Sequence, residues 1–183
     1  MNNQGRTALI AVDVQGDFLP GGSLGVADGF AVVEPLLQAA RDVDMVVATR
    51  DWHPPDHVSF AARGGPWPVH CVAGTPGAAL HPQIDRVAGV VVSKGSNRDV
   101  EAYSGFDGTP LATLLRGSGV RRVVVGGLAT DYCVRATVLH ALGEGFEVAV
   151  LGDAVRAVDV QPGDGEHALE EMRAAGADVL VAG

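Results

Sequence analysis

The chain has 183 residues, 47% of them hydrophobic and 19% charged, which excludes a disordered protein and predicts a single domain over residues 1–183. Its formal net charge of −9 argues against nucleic acids and anionic membrane surfaces as partners, because both attract a cationic face. No apolar run approaches the roughly 20 residues that are needed to span a bilayer.

Two further features predict a cytoplasmic protein. Residues 1–7 are polar and lead directly into a strand-like run, so they do not resemble a signal peptide. The two cysteines, Cys71 and Cys133, lie far apart in the sequence, and in the cytoplasm both are expected to be free thiols.

Short, valine-rich apolar runs alternate along the chain with amphipathic segments. Apolar strands without polar alternation are typically buried on both faces of a parallel sheet. The pattern therefore predicts a three-layer α/β/α domain around a central, mostly parallel sheet of about six strands. The predicted strands are 8–14, 45–49, 90–93, 122–126, 147–151 and 178–181, and the predicted helices are 32–41, 110–116, 132–144 and 165–175.

One region, residues 51–83, interrupts this alternation. It is rich in Pro, Gly and His and carries little signal for regular structure. A loop of this length inside a compact domain is more often functional than not.

Four polar residues follow four different predicted strands: Asp13, Asp51, Lys94 and Cys133. The carboxyl ends of parallel strands share one edge of the sheet, and ligands bind there near the topological switch point. If the first strand neighbours the fourth, Asp13 and Cys133 face each other across that point. This convergence favours a catalytic site over four independent surface residues.

Three of these residues also have a simpler interpretation when each is taken alone. Asp13 is either a general base or a carboxylate that caps a turn. Lys94 is the single lysine of the chain, yet an isolated lysine at a strand end is ordinarily a surface charge. Cys133 follows two glycines and is expected in the first turn of a helix, where the helix dipole favours a thiolate. A buried, inert cysteine is the alternative.

A metal site is predicted close to the same edge. Asp51 and His53 lie two residues apart on an extended segment, so their side chains point to the same side. His57 and His70 follow in the irregular region. A carboxylate oxygen combined with imidazole nitrogens suits one divalent ion of the zinc, iron or manganese kind. Each histidine alone could equally be a solvated loop residue, but the grouping favours a metal.

These motifs together resemble the nicotinamidases (pyrazinamidases) of the isochorismatase-like cysteine hydrolase superfamily. The resemblance covers nearly the whole chain and rests on VDVQGDF (12–18), RDWHPPDHVSF (50–60), WPVHCVAGTPG (67–77), SKG (93–95), AYSGF (102–106) and GLATDYCVRAT (127–137). It implies an isochorismatase-like fold and a metal-dependent hydrolysis of nicotinamide to nicotinate and ammonia through a thioester, as in NAD salvage. Activity on pyrazinamide is also expected, and the superfamily includes monomers as well as homo-oligomers.

The same resemblance implies a role for individual residues. Asp13, Lys94 and Cys133 correspond to a catalytic triad, and the backbone amides of Ala129 and Cys133 to an oxyanion hole that follows a cis Leu128–Ala129 bond. Asp51, His53 and His70 correspond to metal ligands, whereas His57 is a ligand in some members and lies behind the ligands in others. The residues expected to contact the substrate ring are Phe18, Trp67, Tyr103 and, beside the nucleophile, Tyr132.

Two alternatives remain open on the sequence. The chain is either this amidase or another isochorismatase-like cysteine hydrolase that acts on a different small amide. A doubly wound binding module with a structural metal site is the alternative outside the enzymes. Dinucleotide binding is disfavoured, because no G-x-G-x-x-G follows the first strand.

Overall fold

A computed structural model describes residues 5–180 and contains one six-stranded sheet. The order of the strands across the sheet is β3-β2-β1-β4-β5-β6, and every neighbouring pair is parallel. The predicted three-layer α/β class is confirmed, and the switch point lies between β1 and β4 as expected. The strands are β1 (Arg6–Val12), β2 (Met45–Asp51), β3 (Val90–Lys94), β4 (Val120–Leu128), β5 (Glu147–Arg156) and β6 (Asp178–Leu180).

Five helices cover the two faces of this sheet. The residues of β1 alternate between two apolar layers, with Ile10 and Val12 in one layer and Leu9 and Ala11 in the other. One layer contains apolar side chains of α3, α4 and α5, and the other those of α1 and α2. Because both faces are covered, the central strands are apolar throughout. The helices are α1 (Val33–Ala39), α2 (Pro82–Val87), α3 (Leu111–Gly117), α4 (Arg135–Gly143) and α5 (Asp164–Ala174).

Several boundaries differ from the predicted ones for local reasons. β1 ends at Val12 instead of residue 14, because Asp13 takes a left-handed backbone conformation with φ of 48°, which cannot continue a strand. α4 begins at Arg135, since Thr130–Val134 form a π-helical turn. α2 was not predicted, because six residues are too few to show a helical period.

Two predictions extend to residues that the structure does not describe. Residue 181, the end of the last predicted strand, and residues 1–4 of the polar segment lie outside 5–180. Within that described range, no helix has both the length and the apolar character that crossing a bilayer demands.

The connection from β2 to α2 is as irregular as the sequence predicts. It contains two short 3-10 turns, Ala61–Arg63 and Pro76–Ala78. Its two ends are joined by backbone hydrogen bonds, in which the amide of His53 donates to Cys71 (3.0 Å) and the amide of Ala73 donates to His53 (2.8 Å). These bonds bring residue 70 next to the end of β2.

Candidate active site

The four polar residues predicted at the carboxyl ends of the strands converge at one edge of the sheet: Asp51 and Lys94 are the last residues of β2 and β3, and Asp13 and Cys133 follow β1 and β4. Their strands are adjacent, so the residues occur along the edge in the order Lys94, Asp51, Asp13 and Cys133. Each of the four is at most 6% exposed to solvent. The side chains that the sequence predicted to converge therefore do so, in a buried position.

Lys94 joins this set because its side chain reaches across two neighbouring strands. Its ammonium nitrogen lies 2.5 Å from Asp51 Oδ1, 2.9 Å from Asp13 Oδ2 and 3.4 Å from Cys133 Sγ. It also donates a hydrogen bond of 3.2 Å to the carbonyl of Ala102. Burial alone would lower the pKa of Lys94, but the two carboxylates outweigh it and raise this pKa well above its usual value. The lysine is therefore a buried cation.

The two oxygens of the Asp13 carboxylate differ in their hydrogen bonding. Oδ1 accepts a 2.6 Å hydrogen bond from the hydroxyl of Thr49. Oδ2 contacts the Lys94 ammonium but has no aligned hydrogen-bond donor among the described residues. Oxygens of Asp13 and Asp51 and the sulfur of Cys133 all lie within 4.8 Å of one another. Asp13 can therefore exchange a proton with the Cys133 thiol.

The electrostatics favour a resting thiol on Cys133, which corrects the sequence-based expectation of a thiolate. Burial raises the pKa of Cys133 well above its usual value; Lys94 opposes this shift, and Asp13 and Asp51 add to it. Burial also raises the pKa of Asp13, against the effect of Lys94. The raised pKa of Asp13 makes it a stronger base than an exposed aspartate, whereas the raised pKa of Cys133 makes the thiol proton harder to remove.

The turn between β4 and α4 exposes backbone amides beside the sulfur. The Leu128–Ala129 peptide bond is cis, as the family resemblance implies. The carbonyl of Ala129 accepts hydrogen bonds from the amides of Tyr132 (3.2 Å) and Val134 (3.1 Å), on either side of Cys133. The Cys133 amide lies between these two amides in the chain and is not part of this pair of bonds.

Three ligand atoms of the kind that metals bind face one another at the end of β2. Atoms of Asp51, His53 and His70 lie within 4.8 Å of one another, and all three residues are buried. His53 Nδ1 is hydrogen-bonded to the carbonyl of Gly95, and His70 Nδ1 to the carbonyl of Pro68, both at 2.8 Å. A carbonyl only accepts, so each Nδ1 carries a proton, and in the neutral form of each ring Nε2 has the lone pair that can bind a metal.

These lone pairs point towards Asp51. The Nε2 atoms of His53 and His70 lie 3.4 Å and 4.0 Å from Asp51 Oδ2. Burial would raise the pKa of Asp51, but Lys94 and His53 hold it below its usual value, so Asp51 offers a carboxylate. Two neutral imidazoles and one carboxylate suit a divalent ion that keeps open positions for other ligands. We call Asp51, His53 and His70 the metal group.

His57, the fourth predicted ligand, lies behind the metal group. Its ring stacks on that of His53, with 4.1 Å between the ring centroids. Its Nδ1 accepts from the hydroxyl of Ser59 at 2.7 Å, and its Nε2 donates to the carbonyl of Val100 at 3.0 Å. Because both ring nitrogens are already bonded, His57 supports the ring of His53 in this structure and presents no free lone pair.

A cavity opens onto Cys133 and onto Asp51 and His70 of the metal group. Its wall contains the four aromatic residues that were predicted to contact a substrate ring, together with Asp51, His70 and Cys133. The indole of Trp67 donates a 3.0 Å hydrogen bond to the hydroxyl of Tyr103, and Tyr132 packs edge to face on Trp67. The cavity therefore suits a small, flat, mostly apolar molecule.

Sequence reasoning did not find three residues that shape this site. Thr49 orients Asp13, and Glu101 lines the cavity. Gln15 exchanges two 2.8 Å hydrogen bonds with the backbone of Asp51. Gln15 and Thr49 each lie two residues from a predicted site residue. Because residues two apart in an extended chain face the same side, this spacing could have predicted that both lie near the site. Glu101 lies in a loop, where no such period exists.

This geometry defines a class of protein: a doubly wound α/β protein with a buried cysteine, lysine and aspartate beside a histidine and carboxylate metal group. Comparison with known proteins agrees with that class. The family model described as "Isochorismatase domain" matches residues 7–182. The chain belongs to the isochorismatase family.

Several relatives within that family are similar over nearly their whole length. The chain is 41% identical to a nicotinamidase of Escherichia coli (strain K12), over 93% of this chain and 92% of that protein. It is 44% identical to a nicotinamidase/pyrazinamidase of Mycobacterium tuberculosis, over 94% and 97%. A crystal structure of the pyrazinamidase of Pyrococcus horikoshii in complex with zinc is similar with a TM-score of 0.91 and 50% identity, and the match covers 97% of this chain and 99% of that one.

Proposed function

We propose that this chain is an amidase that hydrolyses nicotinamide to nicotinate and ammonia through a cysteine thioester. The observation that carries the proposal is the contact of Lys94 Nζ with both Asp13 Oδ2 (2.9 Å) and Cys133 Sγ (3.4 Å) at the base of an aromatic cavity. The full-length similarity to nicotinamidases supports the same substrate.

The first half of the reaction forms the thioester. Asp13 Oδ2 takes the proton of the Cys133 thiol, and the sulfur attacks the carboxamide carbon. The amides of Ala129 and Cys133 donate to the developing oxyanion, which elsewhere contributes roughly 3–4 kcal/mol per donor. When the C–N bond breaks, Asp13 returns its proton to the nitrogen, and ammonia leaves. Lys94 stabilises the negative charge as it moves between Asp13 and the sulfur.

The second half regenerates the enzyme. A water molecule gives a proton to Asp13 and attacks the thioester carbon, and the same two amides stabilise the second oxyanion. When the C–S bond breaks, the sulfur regains a proton from Asp13. The nicotinic acid that forms loses its proton to bulk water, and the products are nicotinate and a free Cys133 thiol. Each turnover therefore consumes one water and releases one ammonia and one proton.

The metal group fits one divalent ion through Asp51 Oδ2 and the Nε2 atoms of His53 and His70. When bound, such an ion supplies a Lewis acid beside the cavity. The protein residues orient it: Gly95 and Pro68 fix the two histidine rings, and Gln15 fixes the backbone of Asp51. The zinc complex of the similar pyrazinamidase supports a metal here without identifying it.

The proposal extends to substrate range and biological setting. Pyrazinamide has the size and shape of nicotinamide, so we expect it to be hydrolysed as well. The chain is proposed to act as one hydrolase domain in the cytoplasm, as part of NAD salvage. Both cysteines are free in the structure, which suits a reducing compartment, and a homo-oligomer is compatible with the family.

The experiment that tests the proposal is ammonia release from nicotinamide by the purified protein and by Cys133→Ala. The variant is expected to lose at least about a thousand-fold in kcat, because it lacks the nucleophile, while it keeps its metal content. Cys71→Ala is the matched control, because it removes the other buried thiol, whose sulfur contacts the carbonyl of Gly77.

Three results would contradict the proposal. Appreciable turnover by Cys133→Ala would exclude Cys133 as the nucleophile. Inactivity of the wild-type protein on nicotinamide together with activity on another small amide would favour the alternative hydrolase. Release of no ammonia from nicotinamide or from any other small amide would favour a binding module.

A further inference from the structure

Glu101 is a second carboxylate in the cavity wall, and the reaction steps above do not use it. It is partly exposed and lines the cavity with His70, Tyr103 and Cys133. One of its oxygens accepts a 2.9 Å hydrogen bond from the amide of Ala102, which fixes the carboxylate on the wall. No lysine, arginine or histidine of residues 5–180 forms an ion pair with it.

This unpaired charge contrasts with that of Asp51 in the same wall. The Asp51 carboxylate is neutralised by Lys94 at 2.5 Å, whereas the charge of Glu101 is free to act on whatever occupies the cavity. Its effect reaches the cavity residues themselves. Burial lowers the pKa of His70 and raises that of Tyr103, and the charge of Glu101 makes both pKa values higher than they would be without it.

The proposed reaction changes the charge of the molecule in the cavity. The amide substrate is neutral, and the product is a carboxylate. A divalent ion in the metal group would attract that carboxylate and delay its release. A fixed negative charge on the wall opposes this attraction and leaves a neutral amide unaffected.

We propose that Glu101 is a specificity-determining residue that selects uncharged amides and weakens binding of carboxylates, including the acid product. The inference rests on the proposed function and names its substrate class: aromatic amides without an acidic group. It also means that an amide that bears an ionised carboxylate is disfavoured by charge.

The test compares binding of nicotinamide and nicotinate to metal-loaded protein by calorimetry. The Cys133→Ala background prevents turnover, and Glu101→Gln is added to it. Glutamine keeps the size of the side chain and an oxygen that can accept from the Ala102 amide. We expect the nicotinate Kd to fall roughly three- to ten-fold and the nicotinamide Kd to stay within about two-fold. The difference should shrink as salt is raised, because the charge is partly exposed.

Glu147→Gln is the matched control. It removes the same charge at the exposed first residue of β5, which lies at the opposite edge of the sheet from the cavity. It should leave both Kd values unchanged, and metal content should be equal in all variants.

The remaining outcomes separate the two proposals. If both ligands bind and Glu101→Gln leaves their ratio unchanged, or shifts both equally, the role of Glu101 is overturned and the proposed function stands. If neither ligand binds to metal-loaded Cys133→Ala, the proposed function is wrong, and this inference fails with it.

Discussion

The site has two halves that are built in different ways: a sheet-edge half, which contains Asp13, Lys94 and Cys133, and a loop half, which contains the two histidines of the metal group. Asp13, Lys94 and Cys133 lie at the ends of strands, so the register of a parallel sheet brings them together. His53 and His70 lie on an irregular connection, and specific hydrogen bonds to Gly95 and Pro68 orient their rings. A sheet edge therefore positions the reacting groups rigidly, whereas the metal group depends on a few contacts between loops.

Asp51 belongs to both halves. It is the last residue of β2; its Oδ1 contacts Lys94, and its Oδ2 faces the two histidines. A change in one half can therefore reach the other through this carboxylate. Measuring both turnover and metal binding after each change shows how far the two halves act independently.

The largest effect is expected at the sheet edge, from Lys94→Arg. The ammonium lies within 3.4 Å of two carboxylates, a carbonyl and a sulfur, and a planar guanidinium cannot occupy the same 1%-exposed space. We expect kcat to fall about a thousand-fold or more, measured as ammonia release. Arg41→Lys, the reverse exchange on the surface, is the control. Near-normal turnover by Lys94→Arg would mean that the lysine is not required.

Removal of the metal should affect the loop half of the site, which contains the two histidines of the metal group. After chelation and dialysis we expect turnover of nicotinamide to fall by about a hundred-fold and to return when a divalent ion is added. Cys133 should remain reactive towards an alkylating reagent, since its neighbours in the sheet are unchanged. Full activity in protein without detectable metal would contradict the role given to Asp51, His53 and His70.

A smaller effect is expected from Gly95→Ala, which acts on the metal group through one contact. Gly95 has φ of +63°, and a Cβ at this position would lie 2.5 Å from Cε1 of the His53 ring. Displacing that ring should weaken metal binding roughly 10- to 100-fold, measured by competition with a chelator.

Gly108→Ala separates this effect from backbone strain. Gly108 has a similar φ of +65°, but a Cβ there meets no atom within 4 Å. Both variants should lose some stability because a side chain disfavours this conformation. Equal metal affinity in the two variants would show that His53 does not depend on the space beside Gly95.

Much of the sheet-edge half was predictable because its signals are local. Apolar runs give the strands, and polar residues directly after them give Asp13, Asp51, Lys94 and Cys133. The loop half was predictable only as a set of residue types, since Asp51 and the histidines are chemically suited to a metal. The sequence left open whether His57 binds the metal or lies behind the ligands, because its placement depends on bonds to Ser59 and Val100.

The sequence by itself determined the α/β class, the edge at which the site lies and the residue types that it contains, because these follow from hydrophobic period and from the position of polar residues along the chain. Only the tertiary structure decided which atoms meet. That Lys94 reaches Asp51, Asp13 and Cys133, and that Glu101 forms no ion pair within residues 5–180, depend on burial and on distances of a few ångströms. Those distances are set by residues far apart in the sequence, so no local pattern contains them.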